Sequence, residues 1–383
     1  MTATRRPNAA RRAPARMLVV YHRASTFGGS FNSVVDVLRR VDRSRFQPIG
    51  ALPSPGSCEA ALKLVGVPSL TAPEQAGNRS LQYLASVIAW FVRLRTHRID
   101  ILYVADYVTW RSSALAAARL AGVPTVVHVR SPLPVAPIDP ELLKADVIVG
   151  NSTASIGALK SARPPGSLRV IYNFVDLEKF ASGRDVRETF FQARPLVVGF
   201  VGVFRPEKGI EYFLEMAAKL RTSRPDVRFL AVGGESSGHD VGWFPKMKAY
   251  AGRLGLTDAI VFTGVREDVP DLMKSIDVLV VPSLNEGFGR VILEANSAGI
   301  PVVGANAAGI PEVIESGVTG FLVPPRDAAA LHDVVLRVLD DPAWRRRVAD
   351  TAPARTRSRF DPDVQMAELS NAWEAAIATK RGA

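Results

Sequence analysis

Two glutamates, Glu286 and Glu294, stand eight positions apart in the stretch NEGFGRVILEANSAGIPVV, residues 285–303, with the glycines of GFG between them. The first acid sits in a glycine-rich loop and the second lies inside the apolar, helix-period run that follows. A helix starting near Gly289 places Glu294 about 7 Å along its axis, at roughly 1.5 Å of rise per residue. Its first N–H groups have no intrahelical acceptor and, together with the helix dipole, favour an anion. Gly287 and Gly289 let the backbone approach that anion closely. A ligand with a diphosphate at its centre and a hydroxyl-bearing sugar at each end uses every part of this stretch. One acid serves each sugar and the helix terminus holds the phosphates, which is the chemistry of a nucleotide sugar.

Other residues fit the same ligand. Arg205 and Lys208, in FRPEKG, follow the apolar run LVVGFVG at 196–202. A basic pair at the carboxyl end of a strand can neutralise the charge that builds on a departing diphosphate. Gly28 and Gly29, in TFGGSFNSVVDVLRR, follow the first apolar run, where a facing domain could meet donor phosphates or acceptor. His128 closes the run VVHV, and its imidazole can bond a sugar hydroxyl or the reacting centre; a satisfied structural histidine is the alternative. Asn173 and Asp176, in VIYNFVDLEKF, either touch ligand or cap and turn the chain. The D-x-D triplet in FDPDV reads as a helix start, with Asp361 as cap and Pro362 at the first helical position, so no metal site is indicated. There is no G-x-x-x-x-G-K-[ST] run and no G-x-G-x-x-G after a first strand, against a P-loop enzyme and a dinucleotide oxidoreductase.

Positioning these groups requires strands that end where they begin. Short Val- and Ile-rich runs recur at 17–22, 46–52, 99–104, 124–129, 146–150 and 168–173, each followed by a helix-period segment. A second series occupies 196–202, 227–234, 259–264, 277–283, 301–305 and 320–324. Strands apolar on both faces, alternating with helices, indicate parallel sheets covered on both sides. In such sheets ligands bind beyond the carboxyl ends of the strands. The 383 residues, too many for one ordinary core, therefore divide into two doubly wound domains. The expected division is a disordered basic arm at 1–16, a first domain at 17–185, a second at 186–361 and a final helix at 362–383. That helix carries Met366, Leu369, Trp373 and Ile377 at helical spacing and must pack on something, a return across the linker being one option.

The chain resembles the retaining glycosyltransferases of family 4, whose E-x(7)-E signature matches Glu286 and Glu294. The likeness runs from Met17 to about Trp373 and is strongest over 196–325, where GVFRPEKG, VFTGVREDVPDLM, SLNEGFGRVILEA, AGIPVVGANAAGIPEVI and GVTGFLVPP occur in family order. The resemblance implies an α/β GT-B fold, two Rossmann-like doubly wound parallel-sheet domains facing across a cleft. It implies a metal-independent, retaining transfer from a nucleoside-diphosphate sugar, UDP- or GDP-linked, to an acceptor hydroxyl, with no other cofactor. Lys208 and Arg205 would stabilise the leaving diphosphate, although Val203 holds the position where the family commonly has arginine. Glu286 and the amides of Gly287, Phe288, Gly289, Arg290 and Val291 would orient the sugar and phosphates, and Glu294 would hold the ribose. Gly28 and Gly29 match the family's N-terminal glycine loop, His128 its histidine beside the donor sugar, and Arg266 the position against the base. The leaving phosphate would itself take the acceptor's proton. A sugar-nucleotide epimerase of the same fold is the nearest alternative, disfavoured by the intact run of motifs.

Composition bounds the rest. One cysteine, Cys58, excludes an internal disulfide framework and fits a reducing compartment. No apolar stretch reaches the roughly 18 residues that span a bilayer, and LASVIAWFV from Leu84 reads as a buried helix. Residues 1–192 hold 25 Lys and Arg against 13 Asp and Glu, while the remainder holds 23 against 24. A basic first half suits an anionic membrane surface, an acidic acceptor or nucleic acid. For nucleic acid an aromatic-interleaved basic motif is lacking, so a noncatalytic nucleic-acid-binding protein is disfavoured. The clusters Arg23, Arg39, Arg40, Arg43, Arg45 and Arg93, Arg95, Arg98 suggest a cytoplasmic protein peripheral on the inner face of the membrane, acting on a lipid-linked or envelope-glycan acceptor.

Overall fold

The computed structural model describes residues 13–22, 28–73, 80–107, 112–133, 138–164, 166–235 and 241–381. Residues 1–12 of the expected arm, and Arg23, lie outside these. Seven parallel strands form the first sheet: β1 (Ala15–Val20), β2 (Phe46–Leu52), β3 (Ser69–Thr71), β4 (Ile101–Val104), β5 (Thr125–Val129), β6 (Val147–Gly150) and β7 (Leu168–Val170). β1 begins two residues before the expected Met17, because the Arg16 amide is anchored on Asp100 (2.8 Å). Spatial order is β3-β2-β1-β4-β5-β6-β7, so the chain reverses direction across the sheet at β1 and β4. Such a switch point opens a crevice at the carboxyl ends.

Helices α1 (Gly29–Arg40) and α2 (Ser57–Leu64) cover one face of this sheet; α3 (Ser80–Thr96) and α4 (Ser113–Ala121) cover the other. α5 (Thr153–Ile156) and α6 (Leu177–Ala181) follow. The second sheet contains β8 (Val197–Val201), β9 (Arg228–Val232), β10 (Ile260–Gly264), β11 (Val278–Val281), β12 (Val302–Ala305) and β13 (Gly320–Val323), in the order β10-β9-β8-β11-β12-β13. Its switch point lies between β8 and β11, whose outgoing loops carry Lys208 and Glu286. α7 (Ile210–Ser223), α8 (Trp243–Arg253), α9 (Val269–Lys274), α10 (Arg290–Ser297), α11 (Ala328–Asp340) and α12 (Pro342–Phe360) complete this half.

The last helix, α13 (Pro362–Arg381), returns to the first domain. Asp361 caps it, accepting from the amides of Asp363 (2.8 Å) and Val364 (3.2 Å). Leu369, Trp373 and Ala376 are buried in the first sheet's core, and the Trp373 ring lies 5.1 Å from Phe46 and 5.3 Å from Tyr103. The opposite crossing lies earlier than the expected 185/186 boundary. Val175, Leu177 and Phe180 already belong to the core of the second domain. The polar segment that follows is no free linker: Val186 donates to Ser275 Oγ (2.7 Å) and Arg187 reaches Asp277 (3.0 Å). The two crossings run side by side, with the Tyr172 amide on Gln365 (2.9 Å) and the rings of Tyr172, Phe288 and Phe360 mutually 5.4–5.6 Å apart.

Candidate active site

A cavity of about 520 Å³ opens between the domains at the two switch points. Its first-domain wall includes Gly28, Gly29, Asn32 and Asp36; its second-domain wall includes Gly202, Lys208, Gly233, Glu286, Arg290 and Glu294. Gly28 adopts φ 130° just before α1, a conformation that favours glycine. The amino end of α1, twelve residues long, thus faces the cavity without a capping side chain.

Lys208 and Glu286 meet in an ion pair between Nζ and Oε2. Both are largely shielded, with 26% and 18% of their side chains exposed. Local backbone fixes both loops. Lys208 ends a 3-10 turn closed by Gly209 in the left-handed region, and the Leu284 amide donates to Glu207 O (2.8 Å), tying the turn to the Glu286 loop. From the other side the Gly309 amide donates to Glu286 O (2.8 Å). A Cβ on Gly309 would stand 2.1 Å from Gly287 O, so the loop is held by direct backbone contact.

Glu294 lies behind this pair on α10. Its carboxylate accepts from Arg290 Nε (3.0 Å), and Arg290 Nη1 reaches Asp36 Oδ2 of α1 at 2.6 Å and Phe174 O at 3.1 Å. Asp36, Arg290 and Glu294 therefore form a triad spanning the cleft, each with 12% of its side chain exposed. Burial raises the Glu294 pKa above the usual carboxylate range, only partly opposed by Arg290. The Arg290 guanidinium stays charged, because Asp36 and Glu294 outweigh its desolvation. α10 starts from Gly289 at φ 86°, so the Arg290 and Val291 amides, with no carbonyl one turn back, belong to an unspent helix terminus at the wall.

The remaining expected site residues divide. Arg266 borders the cavity but is paired with Asp268 (2.7 Å). Asp176 also borders it while capping α6 through the Lys179 amide. Val203 stands in the wall; Arg205 does not, its guanidinium lying 3.6 Å from Glu207. Phe288 is 1% exposed and belongs to the aromatic cluster at the crossings. Gly287 meets protein rather than an open anion site, since a Cβ there would stand 1.9 Å from Arg130 O of the first domain.

His128 is 3% exposed and off the cavity wall. Its Nδ1 is 2.8 Å from Tyr103 Oη and 3.3 Å from Arg130 Nη2, which can only donate, so the ring proton belongs on Nε2. Nε2 is buried and has no hydrogen-bond partner among the described residues. Burial, reinforced by Arg130, holds the pKa well below the ordinary histidine value, so the ring is neutral. Arg130 itself bonds Ala105 O (2.6 Å) and Asn173 Oδ1 (2.7 Å), giving Asn173 a structural partner. Sequence reasoning missed Asp36, Asn32 and Arg130; the available signal was an acid in the otherwise apolar VVDVL segment of α1.

Two facing Rossmann-like domains with an anion-favouring, two-acid cleft define the GT-B class. Residues 27–179 match the family described as Glycosyltransferase Family 4, and residues 183–355 match the one described as Glycosyl transferases group 1. The chain belongs to the family 4 type of GT-B glycosyltransferases. It is 34% identical over 190 residues to the alpha-D-kanosaminyltransferase of Streptomyces kanamyceticus, a match covering 49% of this chain and 47% of that one. It is 29% identical over 280 residues to the UDP-Gal:alpha-D-GlcNAc-diphosphoundecaprenol alpha-1,3-galactosyltransferase of Escherichia coli, covering 67% and 71%. The chain spans about half the length of several curated relatives, 47–52% for three of them. Among solved structures, Anabaena Alr3699/HepE in complex with UDP superimposes with a TM-score of 0.79 at 25% identity, covering 93% of this chain and 98% of that one.

Proposed function

We propose that this protein is a retaining, metal-independent glycosyltransferase that moves a sugar from a nucleoside diphosphate, UDP or GDP, to an acceptor hydroxyl. The observation that carries the reading is the convergence of Lys208, Glu286, Glu294 and the two helix termini on one interdomain cavity. The likeness to a neighbour solved with UDP supports a uridine nucleotide among the donors to try.

In this reading the donor diphosphate lies between the amino ends of α1 and α10. The bond from the anomeric carbon to the diphosphate oxygen breaks as the bond to the acceptor oxygen forms on the same face, and the acceptor's proton passes to the leaving phosphate. Lys208 meets the charge that develops on that phosphate, where a preorganised cation acts most strongly. Arg205 contributes only if it leaves Glu207. Glu286 turns from Lys208 to the sugar hydroxyls, and Glu294 accepts from the ribose. His128 offers its Nε2 proton to a donor-sugar hydroxyl that reaches past the wall, and Arg266 lies against the base.

The acceptor is proposed to be an envelope glycan or lipid-linked sugar met at the cytoplasmic face of the membrane. Among the described residues no helix is long and apolar enough to cross a membrane. Thermal shift against UDP-, GDP-, ADP- and dTDP-sugars, followed by NMR of the anomeric proton in the product, tests the reading. Stabilisation by one donor class and a product of unchanged anomeric configuration, both insensitive to EDTA, are expected. An inverted product, or activity abolished by EDTA and restored by magnesium, overturns it.

A further inference from the structure

α3 has two apolar faces, and among the described residues only one is covered. Val87, Trp90 and Leu94 are buried against the sheet at 6%, 0% and 1% exposure. Leu81, Leu84, Ile88 and Val92 remain 82%, 54%, 55% and 51% exposed. Their spacing of three, four and four puts all four on one stripe along the helix. The stripe is about 16 Å long at 1.5 Å per residue. Leu120, at the end of the adjoining α4, is 62% exposed as well. Single exposed apolar residues need no explanation, but a contiguous stripe of large ones marks a contact surface.

Arg95 continues the stripe three residues beyond Val92. With Arg98 and Lys380 it lines a depression of about 440 Å³ at the carboxyl end of α3. The only acid in that lining, Asp100, already accepts the Arg16 amide. Arg95 and Arg98 make no side-chain hydrogen bond or ion pair among the described residues, while Lys380 stands 3.8 Å from Asp146. The other basic cluster of this domain differs. Arg40 pairs with Asp363, Arg45 with Glu374 and Arg39 with Asp36, while Arg43 donates to the carbonyls of Leu38 and Val65. Of these two basic clusters, the one whose charge the fold leaves unspent, through Arg95 and Arg98, therefore lies beside the uncovered apolar stripe.

We infer that the outer face of α3, with Arg95 and Arg98, docks the protein on an anionic lipid bilayer. A helix lying flat with apolar side chains at the acyl boundary and cations at the headgroups is the geometry of an interfacial helix. A second copy of the chain suits the surface less, because it would bring further cations to a rim that has no free carboxylate. α3 returns the chain from the carboxyl edge of the sheet, where the cleft opens, to its amino edge. Docking along α3 thus holds the cleft mouth near the bilayer. The inference deepens the proposed function by naming where a lipid-borne acceptor is met, and rests on it for that acceptor alone.

The test is co-sedimentation of the full chain with phosphatidylcholine vesicles, with and without phosphatidylglycerol, at low and high salt. The wild type is expected on the anionic vesicles, with weaker binding in high salt. Ile88→Glu with Val92→Glu should lower partitioning at least tenfold. Arg95→Gln with Arg98→Gln should lower it roughly thirtyfold on anionic vesicles, from about 1 kcal/mol per basic residue near the surface. Arg40→Gln with Arg45→Gln should leave it unchanged. All these side chains lie away from the cleft, so melting temperature and donor-induced thermal shift verify each variant's fold and separate a docking failure from a failure of the glycosyltransferase reading. Equal partitioning of wild type and Ile88→Glu, Val92→Glu overturns the inference. So does wild type that binds neither vesicle, or a dimer in light scattering that Ile88→Glu dissociates, which would give the stripe to a second copy.

Discussion

Lys208 and Glu286 lie 78 residues apart in sequence and neutralise each other, so in the proposed reaction the donor meets these two groups already paired. Under the proposed function the diphosphate would displace a carboxylate from Lys208, which would free Glu286 to accept hydroxyls from the sugar. Lys208→Ala should therefore lower kcat/KM by roughly 30- to 1,000-fold, the 2 to 4 kcal/mol typical of losing an electrostatic contact to the transition state, with a smaller change in donor affinity. Steady-state kinetics against donor concentration separates the two. Glu294 behaves differently because its carboxyl is buried against Arg290. With its pKa raised by burial, it takes up a proton as pH falls while ordinary carboxylates are still ionised. Protonation removes an acceptor for the ribose, so donor affinity should weaken on acidification above the usual carboxylate range. Glu294→Gln should bind donor less well at neutral pH and lose that acid limb in a titration of Kd against pH. The two glutamates were legible in sequence because their spacing lies within one loop and helix. Asp36 was not, since its partner Arg290 lies in the other domain and no local pattern joins them.

At the scale of elements, the glycines of the Glu286 loop act mainly through protein contacts. Gly287 touches the Arg130 carbonyl across the interface, and Arg130 is held in turn by Ala105 O and Asn173. A methyl group at 287 has to push either the loop or the neighbouring domain away. Gly287→Ala should cost about 1–3 kcal/mol, as overpacking does in a filled core, and should open the cleft. The measurement is the urea midpoint together with the radius of gyration from small-angle scattering; an unchanged radius and midpoint would show that the loop absorbs the methyl locally. The sequence reading assigned this glycine to an anion because glycine reports only that something comes close. The same ambiguity hid half of α3: an apolar run shows that a helix has a core face, not that its other face is covered. β3 escaped for another reason, since three residues, Ser69–Thr71, at a sheet edge carry no periodicity. Strands with both faces buried were legible throughout both sheets, because their apolar runs have no polar alternation to confuse them.

The whole molecule is two cores joined by two adjacent crossings, and the second crossing gives α13 to the first core. Its Met366, Leu369 and Trp373 pack with strands and helices that precede them by hundreds of residues, so the first domain is incomplete until α13 has been made. The helical spacing of these residues predicted burial, but only the fold could say against which sheet. Arg40 and Arg45, which looked like a basic surface, serve instead to clamp this helix through Asp363 and Glu374. Trp373 is fully buried between Phe46 and Tyr103, so Trp373→Ala should destabilise the first domain by about 3–5 kcal/mol. The second domain does not share that core, and its buried cluster contains no residue of α13. Differential scanning calorimetry of Trp373→Ala should accordingly show a low-temperature transition separating from one that stays near the wild-type position. A donor that contacts both walls of the cleft should then raise the lower transition more, because binding requires that domain to be folded. A single transition displaced as a whole would mean that the interdomain contacts at Gly287, Arg290 and Tyr172 couple the halves into one unfolding unit. An unshifted trace would remove α13 from the first core altogether.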